Sequence, residues 1–265
     1  FMRGRIHWCG MKPEKTSKTV QSTVTSFEII GSLQELDGGR VSEVADRLGL
    51  AKSTVHSHLA TMKSLGYLVQ EGDIYYLSSR FIDLGRYVQN RKRVYELAGS
   101  KIESLAEQTG ELVQFAIAEH RRAVYIHRSA GEQAVATDAD DSHRVFLHAT
   151  AAGKCLLAFM PEEDVVNVVD STGLPALTDS TITDFETLLE ELKEVRDSGF
   201  AVNESERING LRAVGVPVFD QDRNLLGSIS VAGPAHRIQG EYFRDELPKL
   251  LNGVANELAM NVTYA

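Results

Sequence analysis

Cysteine is scarce in this chain of 265 residues. Cys9 and Cys155 lie far apart with no CxxC pair, which excludes a disulfide framework and leaves no sequence-evident zinc site. Long apolar runs are missing too: none approaches the roughly 20 residues that a membrane-spanning helix needs, so no membrane partner is expected. Residues 1–10 hold two arginines and the only tryptophan, Trp8, yet no continuous apolar core or small-residue cleavage site, so they do not read as an export signal. Positive charge is in deficit, with 28 Lys and Arg against 37 Asp and Glu and a formal net charge of −9. That excludes general affinity for nucleic acid over the whole surface, so any DNA contact has to come from a local patch. HExxH spacing is absent, and His120, His127, His143, His148 and His236 are scattered, so neither a metal nor a cofactor is expected. What is present is an ordinary globular mixture, 43% hydrophobic and 25% charged, long enough for a small domain plus a larger one in the cytoplasm.

The first ninety residues carry helical periodicity. Val20, Val24, Phe27, Ile30, Leu33 and Leu36 recur at three- and four-residue steps, predicting a helix over 18–36 that Asp37-Gly38-Gly39 closes. Val41 and Ser42 open a short second helix, with Ser42 expected as N-cap, Val44, Ala45 and Leu48 facing inward, and Gly49 as the stop. In the third, over 52–65, Val55, Leu59, Met62 and Leu65 share one apolar stripe. Its opposite face, with Ser53, His56, Ser57, Ala60 and Thr61, is short and polar enough to enter a major groove and bond base edges or phosphates. After Gly66, the runs Tyr67–Gln70 and Ile74–Leu77 flank Glu71-Gly72-Asp73 as a β-hairpin. Three helices and a hairpin make a winged helix-turn-helix. Its candidate DNA contacts are Lys52, Ser53, Thr54, His56, Ser57 and Thr61, with Gly72 in the wing. By the helical pattern alone, a small domain whose third helix merely packs in its core fits equally well.

Residues 79–109 are helical nearly throughout, with Phe81, Leu84, Val88, Tyr95, Ala98, Ile102 and Leu105 on recurring faces, and predict one long linker helix ended by Gly110. Arg86, Arg91, Lys92 and Arg93 form a basic cluster there, which reads either as a solvated face or as a phosphate contact. Beyond Gly110, strand-like runs at 112–118, 123–127, 213–219 and 226–231 alternate with helical runs at 149–159, 161–170, 184–198 and 242–260. Residues 220–224 join the last two strands as a hairpin, so the domain is α+β with an antiparallel part. His148 to Lys154 puts small residues at a helix start, where N–H groups and the helix dipole favour a carboxylate and Thr150 adds a hydroxyl. The same Ala151, Ala152 and Gly153 also read as a site of close helix-to-sheet packing. Cys155 reads as a small buried hydrophobe, and His148 as a capping or packing residue.

The segment from Val41 to His56 resembles the helix-turn-helix of the IclR family of transcription regulators. The likeness continues in family order through Glu107–Glu111, His148–Lys154, Asn203–Glu206 leading to Gly210, and Pro217–Asp220 leading to Ser228–Pro234. The resemblance implies a regulator whose operator binding a small-molecule effector modulates. It implies a DNA-binding domain over 18–78, a linker helix over 79–109, and over 110–262 a GAF-like effector domain with a curved antiparallel sheet. It further implies homodimers, often paired into dimers of dimers, with Phe27, Val88 and Tyr95 expected to help join subunits. The effector is expected at the helix start, Thr150 to Gly153, and at positions matching Ala151, Ala152, Asn203, Leu211, Ala213, Ser230 and Ala232. Three of these depart from the family pattern: Asn203 stands where aspartate is common, Ala213 where cysteine occurs and Ala232 where serine occurs. Fewer polar anchors imply a different or less polar effector, still an organic acid or related metabolite. Ser57 and His58 replace an arginine and a leucine, which implies an altered base preference, with His58 expected to pack. Two rival functions are a small-molecule hydrolase or isomerase with an accessory winged helix, and a protein-interaction module. No paired acid and base or nucleophile elbow is present for the first.

Overall fold

The computed structural model describes residues 19–135 and 144–264; Cys9, His143 and the expected helix start at Lys18 lie outside the described residues. The chain divides into two compact units with the boundary between Val88 and Gln89. In the first, α1 (Gln21–Leu36), α2 (Val41–Leu48) and α3 (Lys52–Ser64) precede an antiparallel hairpin of β1 (Leu68–Glu71) and β2 (Ile74–Leu77). Ile29, Leu33, Val44, Val55, Leu59, Leu68 and Tyr75 form its core.

Three local expectations are corrected in this unit. The buried stripe of α1 runs through Thr25, Ile29, Ser32 and Leu33, one residue round from the expected face, and leaves Phe27 56% exposed. Polar Thr25 and Ser32 sit on the inward side, so of the expected face Leu33 is buried and Ile30 and Leu36 pack against the core, while Val20 and Phe27 are left outside it. The N-cap of α2 is Arg40 and not Ser42, because the Glu43 carboxylate accepts the Arg40 backbone N–H at 2.7 Å and closes the first turn two residues earlier. His58 does more than pack: its Nδ1 lies 2.9 Å from the Ser26 hydroxyl on α1.

The expected single linker helix is two helices, α4 (Arg80–Gln89) and α5 (Arg93–Thr109), parted at an extended Lys92 with φ −118° and ψ 142°. Each half is held by a different body. Phe81 meets the Tyr67 ring at 5.5 Å, and the Arg80 guanidinium donates to the Leu65 carbonyl at 2.6 Å, tying α4 to the base of the wing. By contrast, α5 buries Val94, Tyr95, Ala98, Ile102 and Leu105 in the core of the second unit. Tyr95 is therefore a core residue, unavailable for joining subunits.

The second unit is built on an antiparallel sheet in the order β5 (Arg144–Val145), β4 (Arg122–Ala130), β3 (Leu112–Glu119), β8 (Leu225–Pro234), β7 (Leu211–Phe219) and β6 (Ala201–Glu204). The edge strands β5 and β6 were not expected; they are too short to show alternation. Side chains alternate between the two faces, as the strand period demands. Val113, Phe115, Val214, Val216, Ile229 and Val231 face α5 and α9 (Leu247–Tyr264). On the other face, Ala116, Ala123 and Tyr125 join α6 (Ala151–Ala158), α7 (Glu162–Thr172) and α8 (Phe185–Ser198) in a second core.

Candidate DNA-binding face and effector cavity

On α3 the residues Val55, Leu59 and Met62 are buried, so the helix must present Lys52, Ser53, Thr54, His56, Ser57 and Thr61 outward, and all of these are exposed. Ser57 and Thr61 donate their hydroxyl protons to carbonyls one turn back, at 3.0 and 2.8 Å, which leaves oxygen lone pairs directed outward to accept from base amino groups. Gly72 and Asp73 form the tip of the wing, with Gly72 exposed at φ +59°. Lys63 donates to Gln70 at 2.8 Å, and the Gln70 amide donates to the Gly72 carbonyl at 2.9 Å, so the end of α3 and the wing tip are braced together.

Strand register assembles the other site. Asn203 pairs with Ala213, Ala213 with Ala232, and Ala232 with Leu112, giving one row across four strands. Two residues along on the same face, Ala201, Gly215, Ser230 and Gln114 form the next row. The first turn of α6 presses on that second row, since a Cβ at Gly215 would lie 2.8–2.9 Å from the backbone of Ala151 and Ala152. Asn203 donates its side-chain N–H to the Ala149 carbonyl at 2.7 Å and secures the approach to the helix. The space left over the first row is a cavity of about 50 Å³. Thr150, Ala151, Ala152, Asn203, Leu211, Ala213, Ser230 and Ala232 line it, so every expected effector residue but one borders this single cavity. Gly153 is the exception: its N–H donates to the Thr150 hydroxyl at 3.0 Å, and its Cα packs against Leu147, so it serves the cap and the packing.

Gln114, Tyr125, Arg207 and Arg212 also line the cavity and were not anticipated, because only register and loop path bring them there. Burial pushes the Tyr125 phenol above its usual range, while Arg207, Arg128 and a hydrogen bond with Thr150 pull the other way. Cys155 and His148 behave as expected: burial pushes the Cys155 thiol up to about 12, and burial lowers His148, whose Nε2 sits 3.2 Å from the Pro175 carbonyl. In the basic cluster Arg86, Arg91, Lys92 and Arg93 are all exposed, and Arg93 pairs with Glu96 at 2.7 Å. Among the described residues no group of three or more His, Cys, Asp or Glu could hold a metal ion, and no helix is long and apolar enough to cross a membrane.

A winged helix with an outward polar recognition helix, followed by a sheet domain with a walled cavity, defines a two-domain DNA-binding regulator. The family description "IclR helix-turn-helix domain" matches residues 23–72, and "Bacterial transcriptional regulator IclR C-terminal" matches residues 86–260. The chain belongs to the IclR family and is a transcriptional regulator with an N-terminal DNA-binding domain and a C-terminal ligand-binding domain. It is 30% identical to a probable HTH-type transcriptional regulator ArcR of Halobacterium salinarum, over 96% of this chain and 100% of that protein. The crystal structure of the Thermotoga maritima IclR superposes with a TM-score of 0.76 at 26% identity, covering 92% of this chain and 99% of that one. The inducer-binding domain of PobR from Acinetobacter, a double mutant in complex with 3-hydroxybenzoic acid, matches 62% of this chain and 96% of its own length, with a TM-score of 0.57 and 29% identity.

Proposed function

We propose that a small organic acid, seated between the first turn of α6 and the sheet, sets the operator affinity of this regulator. What supports the reading is the meeting of the Ala151 and Ala152 backbone at a helix start with Asn203, Ser230 and Leu211 around one cavity of about 50 Å³. The leading N–H groups of a helix have no partner inside it and carry the positive end of its dipole, so a carboxylate suits them. So small a space suits an acid of a few carbons. Leu211, Ala213 and Ala232 would select its carbon skeleton, and Asn203 and Ser230 its polar groups. Such a ligand regulates only through differential affinity for two arrangements of the protein, typically about 1–3 kcal/mol. The test is Ala152→Phe, expected to fill the cavity and abolish the effector response in a gel-shift titration while effector-free operator binding persists. A normal response in this variant places the pocket elsewhere.

At the DNA, Lys52, Ser53, Thr54, His56, Ser57 and Thr61 would enter the major groove, with Gly72 touching the backbone. Lys52→Ala should weaken binding to every sequence and reduce the salt slope by about 1, whereas His56→Ala should relax base preference at a cost of about 1–3 kcal/mol. Gel shifts at several salt concentrations decide this, and an unchanged affinity and slope in both variants would remove the helix from the interface. The regulator acts as a homodimer or a dimer of dimers, since one winged helix supplies too few base contacts for a selective site. Exposed Phe27, Ile82, Tyr87 and Val88 offer the apolar surface for joining subunits. Light scattering that finds a monomer with tight operator binding would contradict that assembly. The protein works in the cytoplasm without enzymatic activity. Its division is a DNA-binding domain over 18–78, a connector over 79–109 whose α5 half belongs to the effector fold, and the remainder of the effector domain to 262.

A further inference from the structure

Lys154 is the one cation on α6, and its side chain is 1% exposed. Its Nζ donates to Glu191 on α8 at 2.7 Å and to Glu206 at 2.8 Å. Glu206 stands in the loop between β6 and β7, directly before Arg207 and Ile208, which line the cavity. Thr178 and Thr181 grip the same loop from outside, donating to the carbonyls of Ser205 and Glu206 at 2.7 and 2.6 Å. One buried lysine therefore links the helix whose first turn forms one side of the cavity to the loop that forms another. We infer that Glu206 is a positioning residue for the effector cavity, its hydrogen bond to the buried Lys154 ammonium holding the 205–210 loop against α6. The inference rests on the effector reading of that cavity.

Two features make the link consequential. The cluster holds two carboxylates against one ammonium, and the second carboxylate oxygen of Glu206 is buried without a hydrogen-bond partner. Burial accordingly raises Glu206 above the ordinary glutamate range despite Lys154. A carboxylate kept there at a cost in solvation is held by its one strong partner; without it the 205–206 end of the loop keeps the hydroxyls of Thr178 and Thr181 and its backbone bonds, and loses its tie to α6.

The experiment compares three variants of the full chain by hydrogen exchange and by calorimetry with acetate, lactate and benzoate as probes. In Glu206→Ala, Lys154 retains Glu191, so the domain folds, and the hydrogen-bonded amides of Ser205, Gly210 and Leu211 should exchange faster. The Kd of whichever acid binds should rise roughly ten-fold. Glu206→Gln keeps an acceptor for Lys154 and should restore both. Ile102→Ala, a core truncation on the opposite face of the sheet, should lower Tm without changing either. Exchange at the wild-type rate in Glu206→Ala, or a glutamine variant as loose as the alanine one, overturns the positioning role. If the wild-type chain takes up none of the acids, the effector reading falls, and the exchange rates still decide whether Glu206 holds the loop.

Discussion

Replacing Lys154 by methionine is expected to cost about 3–5 kcal/mol of unfolding free energy, the usual loss when one partner of a buried ion pair is removed and the other stays. Methionine matches the length of the lysine stem, so the loss isolates the charge. Glu206, whose side chain is 9% exposed, would keep its desolvation cost and lose the group that offsets it, while Glu191 at 23% exposure can turn to water. The pH dependence has a definite sign. The Glu206 carboxyl is raised in the folded state above its ordinary 4.5, chiefly by burial, so its contribution to stability is fully present below 4.5 and is lost as pH rises through the folded value. Without Lys154 that value climbs further. The deficit of Lys154→Met should then be largest at about pH 8 and shrink toward about pH 5 as Glu206 takes up a proton. Urea denaturation of both proteins at the two pH values measures it. A loss below about 1 kcal/mol at the higher pH, or one that grows on acidification, would show that Lys154 and Glu206 interact no more strongly than a surface pair.

Gly153→Ala should destabilise the effector domain by about 2–3 kcal/mol, against the sign that helix propensity alone would give. In a helix interior alanine is better than glycine by about 1 kcal/mol. Here a Cβ would stand 2.2 Å from the Leu147 carbonyl oxygen and 2.7 Å from both the Leu147 Cα and the Thr150 hydroxyl. The nearest of these are backbone atoms, which cannot swing aside as a flexible side chain would, so the overlap outweighs the propensity gain. Relief requires the first turn of α6 to lift from the sheet, breaking the Thr150 cap at 3.0 Å and reshaping the cavity wall at Ala151 and Ala152. Thermal unfolding should give a lower Tm, and calorimetry a loss of acid binding; a raised Tm would mean that the turn relaxes without cost.

The outward face of α3 could be read from the sequence, because burial of Val55, Leu59 and Met62 forces Lys52, His56 and Ser57 outward through helical geometry within a few residues. The hairpin was equally legible, with its glycine turn between two short β-branched and aromatic runs, and so was the small-residue helix start at Thr150. Each of these depends on neighbours close along the chain. Features that depend on distant neighbours emerge only in the folded chain. The break at Lys92 exists because two different bodies capture α4 and α5, and no local residue pattern announces that division. Gln114 reaches the cavity through its pairing with Ser230, and Arg207 through the path of a loop. Lys154 is buried only because two glutamates, 37 and 52 residues away in sequence, close around it. Periodicity reports which face of an element is buried; it carries no information on which strand lies beside which, or on the partner that lets a charge be buried at all.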